Sequence, residues 1–215
     1  MNGAFEIATS PQFFVNLNIR SNFEEMKYRF VLLFMFLFMN AQLMAQGNAA
    51  GKDRPVRTLV AYFSATGTTE AAARNIARLT KGELCGIEPV KPYTAADLDW
   101  RDKESRSSIE MNDGAARPEM KAVAVDPTAF DVIFIGYPIW WDLAPRIVNT
   151  FLESCDLSGK TVIPFATSGS SGIANSAAVL KRTYPALKWQ EGRLLNGADE
   201  AALCRWLGRN GYVFE

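Results

Sequence analysis

From residue 56 onward, short β-branched and apolar runs alternate with longer stretches whose apolar residues recur every three or four positions. Residues 56–63, VRTLVAYF, are β-branched and apolar and predict a buried strand. In residues 70–81, Ala72, Ala73, Ile76, Ala77 and Leu79 share one helical face, with Gly82 as the stop signal. Residues 83–90, ELCGIEPV, predict a weaker strand, and 131–135, DVIFI, a strong one. A helix over 143–155 turns Ile147, Val148, Phe151 and Leu152 inward, with Pro145 in its first turn, where proline is tolerated. Residues 161–166, TVIPFA, predict the next strand, followed by a helix near 174–183. A last strand falls within 187–195, and a last helix over 199–207, ended by Gly208. Strands alternating with helices of this length predict a parallel sheet covered on both faces. The stretch 92–130 breaks the rhythm, being long, charged and interrupted by prolines. Within it, 95–112 predicts a helix begun by Thr94 and stopped near Gly114. A connection of that length fits part of a site and a plain insertion equally well.

The pattern before residue 56 is of another kind. Residues 30–39, FVLLFMFLFM, are an uncharged apolar run too short for a comfortable membrane span. Lys27 and Arg29 precede it, and Ala41, Ala45 and Ala49–Ala50 follow it, which are the three parts of a secretory signal peptide. Met26 is its natural start, residues 1–25 then being an extension, and cleavage after Ala45 leaves a mature chain beginning near Gln46. The expected organisation is residues 1–45 as extension and signal peptide, 46–55 as linker, and 56–215 as one domain carrying the insertion 92–130. No Arg-Arg pair precedes the apolar run, so an exported, periplasmic chain would cross unfolded. Membrane association is expected only if the signal stays uncleaved.

Composition narrows the chemistry. With 215 residues and 48% hydrophobic content, the chain can build the core of one α/β domain. It has no histidine, which excludes Ser-His-Asp and Cys-His catalysis in their usual forms and most zinc enzyme sites. Basic and acidic residues balance at 23 each, so there is no electrostatic footprint for nucleic acid. Cys85, Cys155 and Cys204 form no CxxC pair and are odd in number, so a disulfide framework does not hold the fold, and buried thiols are the expected reading.

Three segments at the ends of strong strands carry the candidate site. Ligands of open α/β sheets bind outside the carboxyl ends of the strands, at the switch point in strand order. Ser64-Ala65-Thr66-Gly67-Thr68-Thr69 is rich in hydroxyls and opens a helix, whose N-terminal N–H groups are a ready anion site. It holds no lysine and is not GxGxxG, so it suits one phosphate monoester rather than a triphosphate or a pyrophosphate. A hydroxyl-rich helix cap explains the same residues equally well. Gly136-Tyr137-Pro138-Ile139-Trp140-Trp141 places two indoles side by side, one expected to cover the sheet edge and one free to stack on a planar ring. Thr167-Ser168-Gly169-Ser170-Ser171-Gly172 is expected to be flexible and could approach a ligand with its backbone, or serve as an ordinary turn.

Together, YFSATGTT, GYPIWW and PFATSGSSG resemble flavodoxin-like proteins of exported bacterial type, over roughly residues 56–208 and in the family's order. The resemblance implies a flavodoxin-like, doubly wound five-stranded parallel sheet in the order 2-1-3-4-5, with helices on both faces. It implies that Ser64, Ala65, Thr66, Gly67, Thr68 and Thr69 hold the phosphate of FMN. Pro138, Ile139, Trp140 and Trp141, with Thr167, Ser168, Gly169, Ser170 and Gly172, would flank the isoalloxazine ring. The flavin then does the chemistry, and no catalytic side chain or metal is required. The expected activity is reduction of a small, quinone-like molecule through FMN. The alternatives are an electron carrier between protein partners and a phosphate-ligand module without redox function. The electron donor and acceptor are not identifiable from the residues. The chain departs from the family pattern in two ways. Trp141 is followed by Asp142, expected to cap the next helix, where many flavodoxins have a turning glycine, which implies a bias toward two-electron transfer. Its even charge also lacks the acidity of flavodoxins that shuttle electrons.

Overall fold

The computed structural model describes residues 55–197 and 199–212. The expected extension, signal peptide and most of the linker lie outside them.

The strands are β1 (Thr58–Tyr62), β2 (Glu83–Gly86), β3 (Val132–Pro138), β4 (Thr161–Thr167), β5 (Lys188–Trp189) and β6 (Arg193–Leu194). The helices are α1 (Thr68–Thr80), α2 (Arg106–Asn112), α3 (Arg146–Glu153), α4 (Ala174–Thr183) and α5 (Glu200–Arg209). Among the described residues every strand pairing is parallel, along the path β2-β1-β3-β4-β5, with β6 also pairing β4. This is the expected 2-1-3-4-5 order.

Side chains alternate across a strand, so the central strands feed two cores. On one face, Leu59, Ala61, Ile133, Ile135, Tyr137, Val162 and Ala166 pack with Ile147, Val148, Phe151 and Leu152 of α3 and Leu180 of α4. On the other, Val60, Phe134, Ile163 and Phe165 meet Ala73, Ile76 and Ala77 of α1 and Leu203, Trp206 and Leu207 of α5. Burial on both faces is why β1 and β3 read as unbroken apolar runs. Each fully buried Ile or Phe contributes about 1.5–3 kcal/mol relative to an exposed one.

The fifth strand is broken in two, and Pro164 is the reason. The carbonyls of Lys160, Val162 and Ala166 accept from Lys188, Gln190 and Leu195, so this side of β4 faces the edge. By alternation Pro164, which has no N–H, faces the same edge and interrupts the ladder there. The pairing moves from Val162↔Trp189 to Phe165↔Arg193, one extra residue on the edge strand, which is a β-bulge.

The inserted stretch holds a shorter helix than its periodicity suggests. Thr94 and Asp97 do form a reciprocal cap, with the Thr94 N–H donating to Asp97 Oδ2 at 2.8 Å and the Asp97 N–H to Thr94 Oγ1 at 3.2 Å. One turn follows, and then the carboxylates of Asp99 and Asp102 accept from the N–H groups of Arg101 and Glu104, two residues on. Such local bonds compete with the helix. The chain becomes helical only at α2, capped by Ser105, whose hydroxyl accepts from the Ser108 N–H.

Other helix ends also moved. α3 begins at Arg146 with Pro145 just outside it as the N-cap, so proline precedes the first turn and Asp142 does not cap the helix. α5 runs through Gly208 to Arg209, its last turn closed by Asn210. At the end of α1 the left-handed position is taken by Lys81, at φ 52°, rather than by Gly82.

Candidate functional site

The first loop leaves β1 and turns into α1. Gly67 is its N-cap at φ 86°, a conformation glycine adopts without steric cost, and no side chain caps the helix. The first N–H groups of α1 are therefore offered outward with the positive end of the helix dipole. The Gly67 N–H itself donates to Ser64 Oγ at 3.1 Å, so Ser64 shapes the loop from within. Thr66 and Thr68 bring their hydroxyls to 3.5 Å of each other at the exposed rim. Thr69 is different: it is buried, with Oγ1 2.8 Å from Thr167 Oγ1, a bond joining the first loop to the third.

The second loop follows β3. Trp140 and Leu143 exchange both backbone hydrogen bonds, at 3.0 and 2.9 Å, closing a two-residue turn. Its central residues Trp141 and Asp142 both have positive φ, 46° and 60°, the pattern of a type I′ turn usually built from glycine or asparagine. The Asn175 side-chain amide on α4 donates to the Asp142 carbonyl at 3.1 Å and holds this turn. The two indoles divide their tasks. Trp140 packs edge-to-face on Phe63 and Tyr93, with centroids 5.5 and 5.3 Å away. Trp141 stands 45% exposed on the cavity wall.

The third loop is pinned, not free. The Asn196 amide brackets residue 168, accepting from the Ser168 N–H at 2.9 Å and donating to its carbonyl. The Ser168 hydroxyl accepts from the N–H groups of Ser170 and Ser171, at 3.2 and 2.9 Å.

These loops enclose one cavity of about 490 Å³. Of the residues expected at the site, Ala65, Thr66, Thr69, Pro138, Ile139, Trp140, Trp141, Ser168, Gly169 and Ser170 line it. Ser64, Gly67, Thr68, Thr167 and Gly172 sit in the same loops but are not on its wall. Asp142 and Ser171 join the lining from within two of the loops. Leu98, Trp100 and Ser107 come from the inserted stretch, unforeseen except for the signal of an isolated tryptophan in a charged segment. Nothing local marks Asn196 as the brace of the third loop. Asp142 carries the one charge among these lining residues. Arg146, the nearest basic residue after the loop, donates instead to the Glu110 and Met111 carbonyls at the end of α2, at 3.4 and 3.0 Å.

Behind Trp140 lies a polar network. The Arg106 guanidinium is 4.0 Å from the Tyr93 ring centroid and 2.6 Å from Glu110 Oε1. Tyr93 donates its hydroxyl proton to Glu110 Oε2. Burial, then this hydrogen bond, pushes the Tyr93 phenol far above its ordinary value, so it stays a neutral donor.

The site therefore offers an uncapped helix N-terminus beside hydroxyls, continuous with an aromatic cavity that has no basic side chain among its described lining residues. The family model for flavodoxin matches residues 57–210. No curated protein matches. A candidate flavoprotein from Bacteroides eggerthii is 57% identical, over 74% of this chain and 100% of that one, with a TM-score of 0.71. Its counterpart from Bacteroides uniformis is 54% identical over 72% and 99%, at 0.69. A flavoprotein of Lactobacillus acidophilus, solved in complex with FMN, shares the fold at 20% identity over 71% and 99%, at 0.57. With its sheet order, its three loops and a family match over nearly the whole described region, the chain belongs to the flavodoxin family.

Proposed function

We propose that this protein binds FMN and acts as an exported reductase of small, quinone-like molecules. The observation that carries the reading is the continuity of the uncapped α1 N-terminus with the aromatic cavity of about 490 Å³. A single phosphate monoester suits the Thr68 and Thr69 N–H groups at the start of α1 and the Thr66 and Thr68 hydroxyls, which supply dipoles but no full charge. A pyrophosphate would add charge that no basic side chain on this wall answers, so FMN is favoured over FAD. The Lactobacillus acidophilus relative, solved with FMN, supports the same cofactor. When bound, the flavin supplies hydride or electron transfer. The protein binds the phosphate, sets the ring against Trp141 and the backbone of residues 168–171, and presents it with no basic side chain from the described lining.

Purification decides the first part: a yellow protein releasing FMN on denaturation supports it, and a colourless one with no affinity for added FMN overturns it. Turnover with NAD(P)H and a quinone separates a reductase from a carrier serving protein partners. Export rests on Lys27, Arg29, the run 30–39 and Ala45. The mass of the cell-derived protein should correspond to a chain starting near Gln46; an intact 30–39 segment in a cytosolic fraction would refute it.

A further inference from the structure

We propose that Trp100, on the inserted stretch, is a binding residue for the flavin ring and completes a site the third loop leaves without an aromatic. The inference rests on the FMN reading. Trp140 has its ring engaged by Phe63 and Tyr93. The third loop contributes only Ser168, Gly169, Ser170 and Ser171 to the cavity. The exposed aromatic surface on the wall is therefore Trp141, at 45%, and Trp100, at 71%. A large indole left in water forgoes burial that a planar ligand would restore, and offset stacking on a flavin is the fitting use of such a face.

The position of Trp100 is set by the fold. The insertion is fastened at its base by the antiparallel bridge Pro89↔Met120. Arg117 forms a two-pronged ion pair with Glu153 on α3, at 2.7 and 2.8 Å. Thr150 Oγ1 donates to the Pro118 carbonyl at 3.0 Å, and Arg146 closes the end of α2. The turn that carries Trp100 is tied to α2 by the Ser107 N–H, which donates to the Asp97 carbonyl at 2.9 Å. Arg101 lies 5.9 Å from the Trp100 ring centroid and pairs with Asp99 at 3.2 Å, so its charge is answered by a neighbouring carboxylate. The ring is thus presented from a braced segment, 71% exposed and outside both buried cores.

The test uses the protein as purified from cells, freed of bound flavin, titrated with FMN and with riboflavin by flavin fluorescence. Trp100→Ala should weaken both ligands alike, by about threefold to tenfold for one stacked ring, because the contact is to the ring both share. Bound flavin should also become more fluorescent as a quenching indole is lost. Trp100→Phe should recover most of the affinity, and circular dichroism should show all variants folded. Thr66→Ala is the internal standard and should weaken FMN but spare riboflavin. Wild-type affinities in Trp100→Ala for both ligands, or a loss confined to FMN, would overturn the role of Trp100 while leaving the cofactor standing. Failure of the wild type to bind FMN would overturn the cofactor reading itself.

Discussion

At the scale of single residues, the structure separates side chains that look alike in sequence. Thr66 and Thr69 both read as phosphate ligands, but only Thr66 keeps its hydroxyl at the rim. Thr69 is buried and bonded to Thr167. Thr66→Ala should therefore lower FMN affinity and leave thermal stability near wild type. Thr69→Ala leaves a buried Thr167 hydroxyl without its partner and should cost about 1–3 kcal/mol of folding stability. Denaturant titration beside FMN titration checks this, and equal stability losses for the two variants would contradict it. The same division applies to the indoles. Stacking and the lone carboxylate of Asp142 both favour the oxidised ring over an anionic reduced one, which lowers the reduction potential. Trp141→Ala should raise the potential by about 10–30 mV for a two-electron couple, the equivalent of one aromatic contact. Asp142→Asn should raise it too without unfolding the turn, since asparagine tolerates positive φ. Trp140→Ala should act mainly on stability. A redox titration in which Trp140 alone moves the potential would reverse this assignment.

At the scale of elements, strands were legible where both faces are buried and helices where one apolar face persists. β1, β3, β4 and α4 fall where periodicity puts them, because burial and pattern agree there. The disagreements have local causes: aspartates drawing backbone bonds at Asp99 and Asp102, and Pro164 splitting a neighbouring strand that its own residues describe as continuous. Close packing between β3 and β4 yields a sharp expectation. A Cβ added at Gly136 would lie 2.1 Å from a ring carbon of Phe165 in the centre of the sheet. Gly136→Ala should cost about 1–3 kcal/mol or more by overpacking. Gly114→Ala, where an added Cβ meets nothing within 4 Å, should not, and similar melting temperatures for the two would show that the core yields.

At the scale of the whole molecule, buried acids set the pH range of stability. Burial pushes the Tyr137 phenol up to about 12, against the opposing Ser176 hydrogen bond. Burial and the bond to Glu153 push Tyr184 up to about 12. Burial, then the charge of Glu83, pushes the Cys85 thiol up to about 11. Each holds its proton more tightly when folded than at its ordinary value of 10.0 for the phenols or 9.0 for the thiol. Their contribution is complete below those values and is lost as pH rises through the folded ones. Glu153 runs the other way: its bond from Arg117 holds it below 4.5, so its contribution is present above that pH and lost as pH falls. The denaturant midpoint should be level near neutrality, fall from pH 9 toward 12, and fall again in acid. A midpoint flat across the alkaline range would contradict the buried phenols and thiol.

Periodicity by itself determined the alternation of strands and helices, because it follows from neighbours in the chain, and the hydroxyl-rich loop before α1 marked a candidate anion site from the same local information. Right-handed crossovers then leave few sheet orders open, and the motifs select the one observed. Tertiary structure decided what depends on partners distant in sequence. It tied Thr69 to a residue 98 positions away, held the Asp142 turn through Asn175, and braced the third loop with Asn196. It also brought Trp100 to the cavity wall, on a connection that the sequence left open between part of a site and a plain insertion. Apart from the isolated tryptophan at 100, none of these contacts has a local signature, since each is selected by the packing of two sheet faces and an insertion against them rather than by the residues on either side.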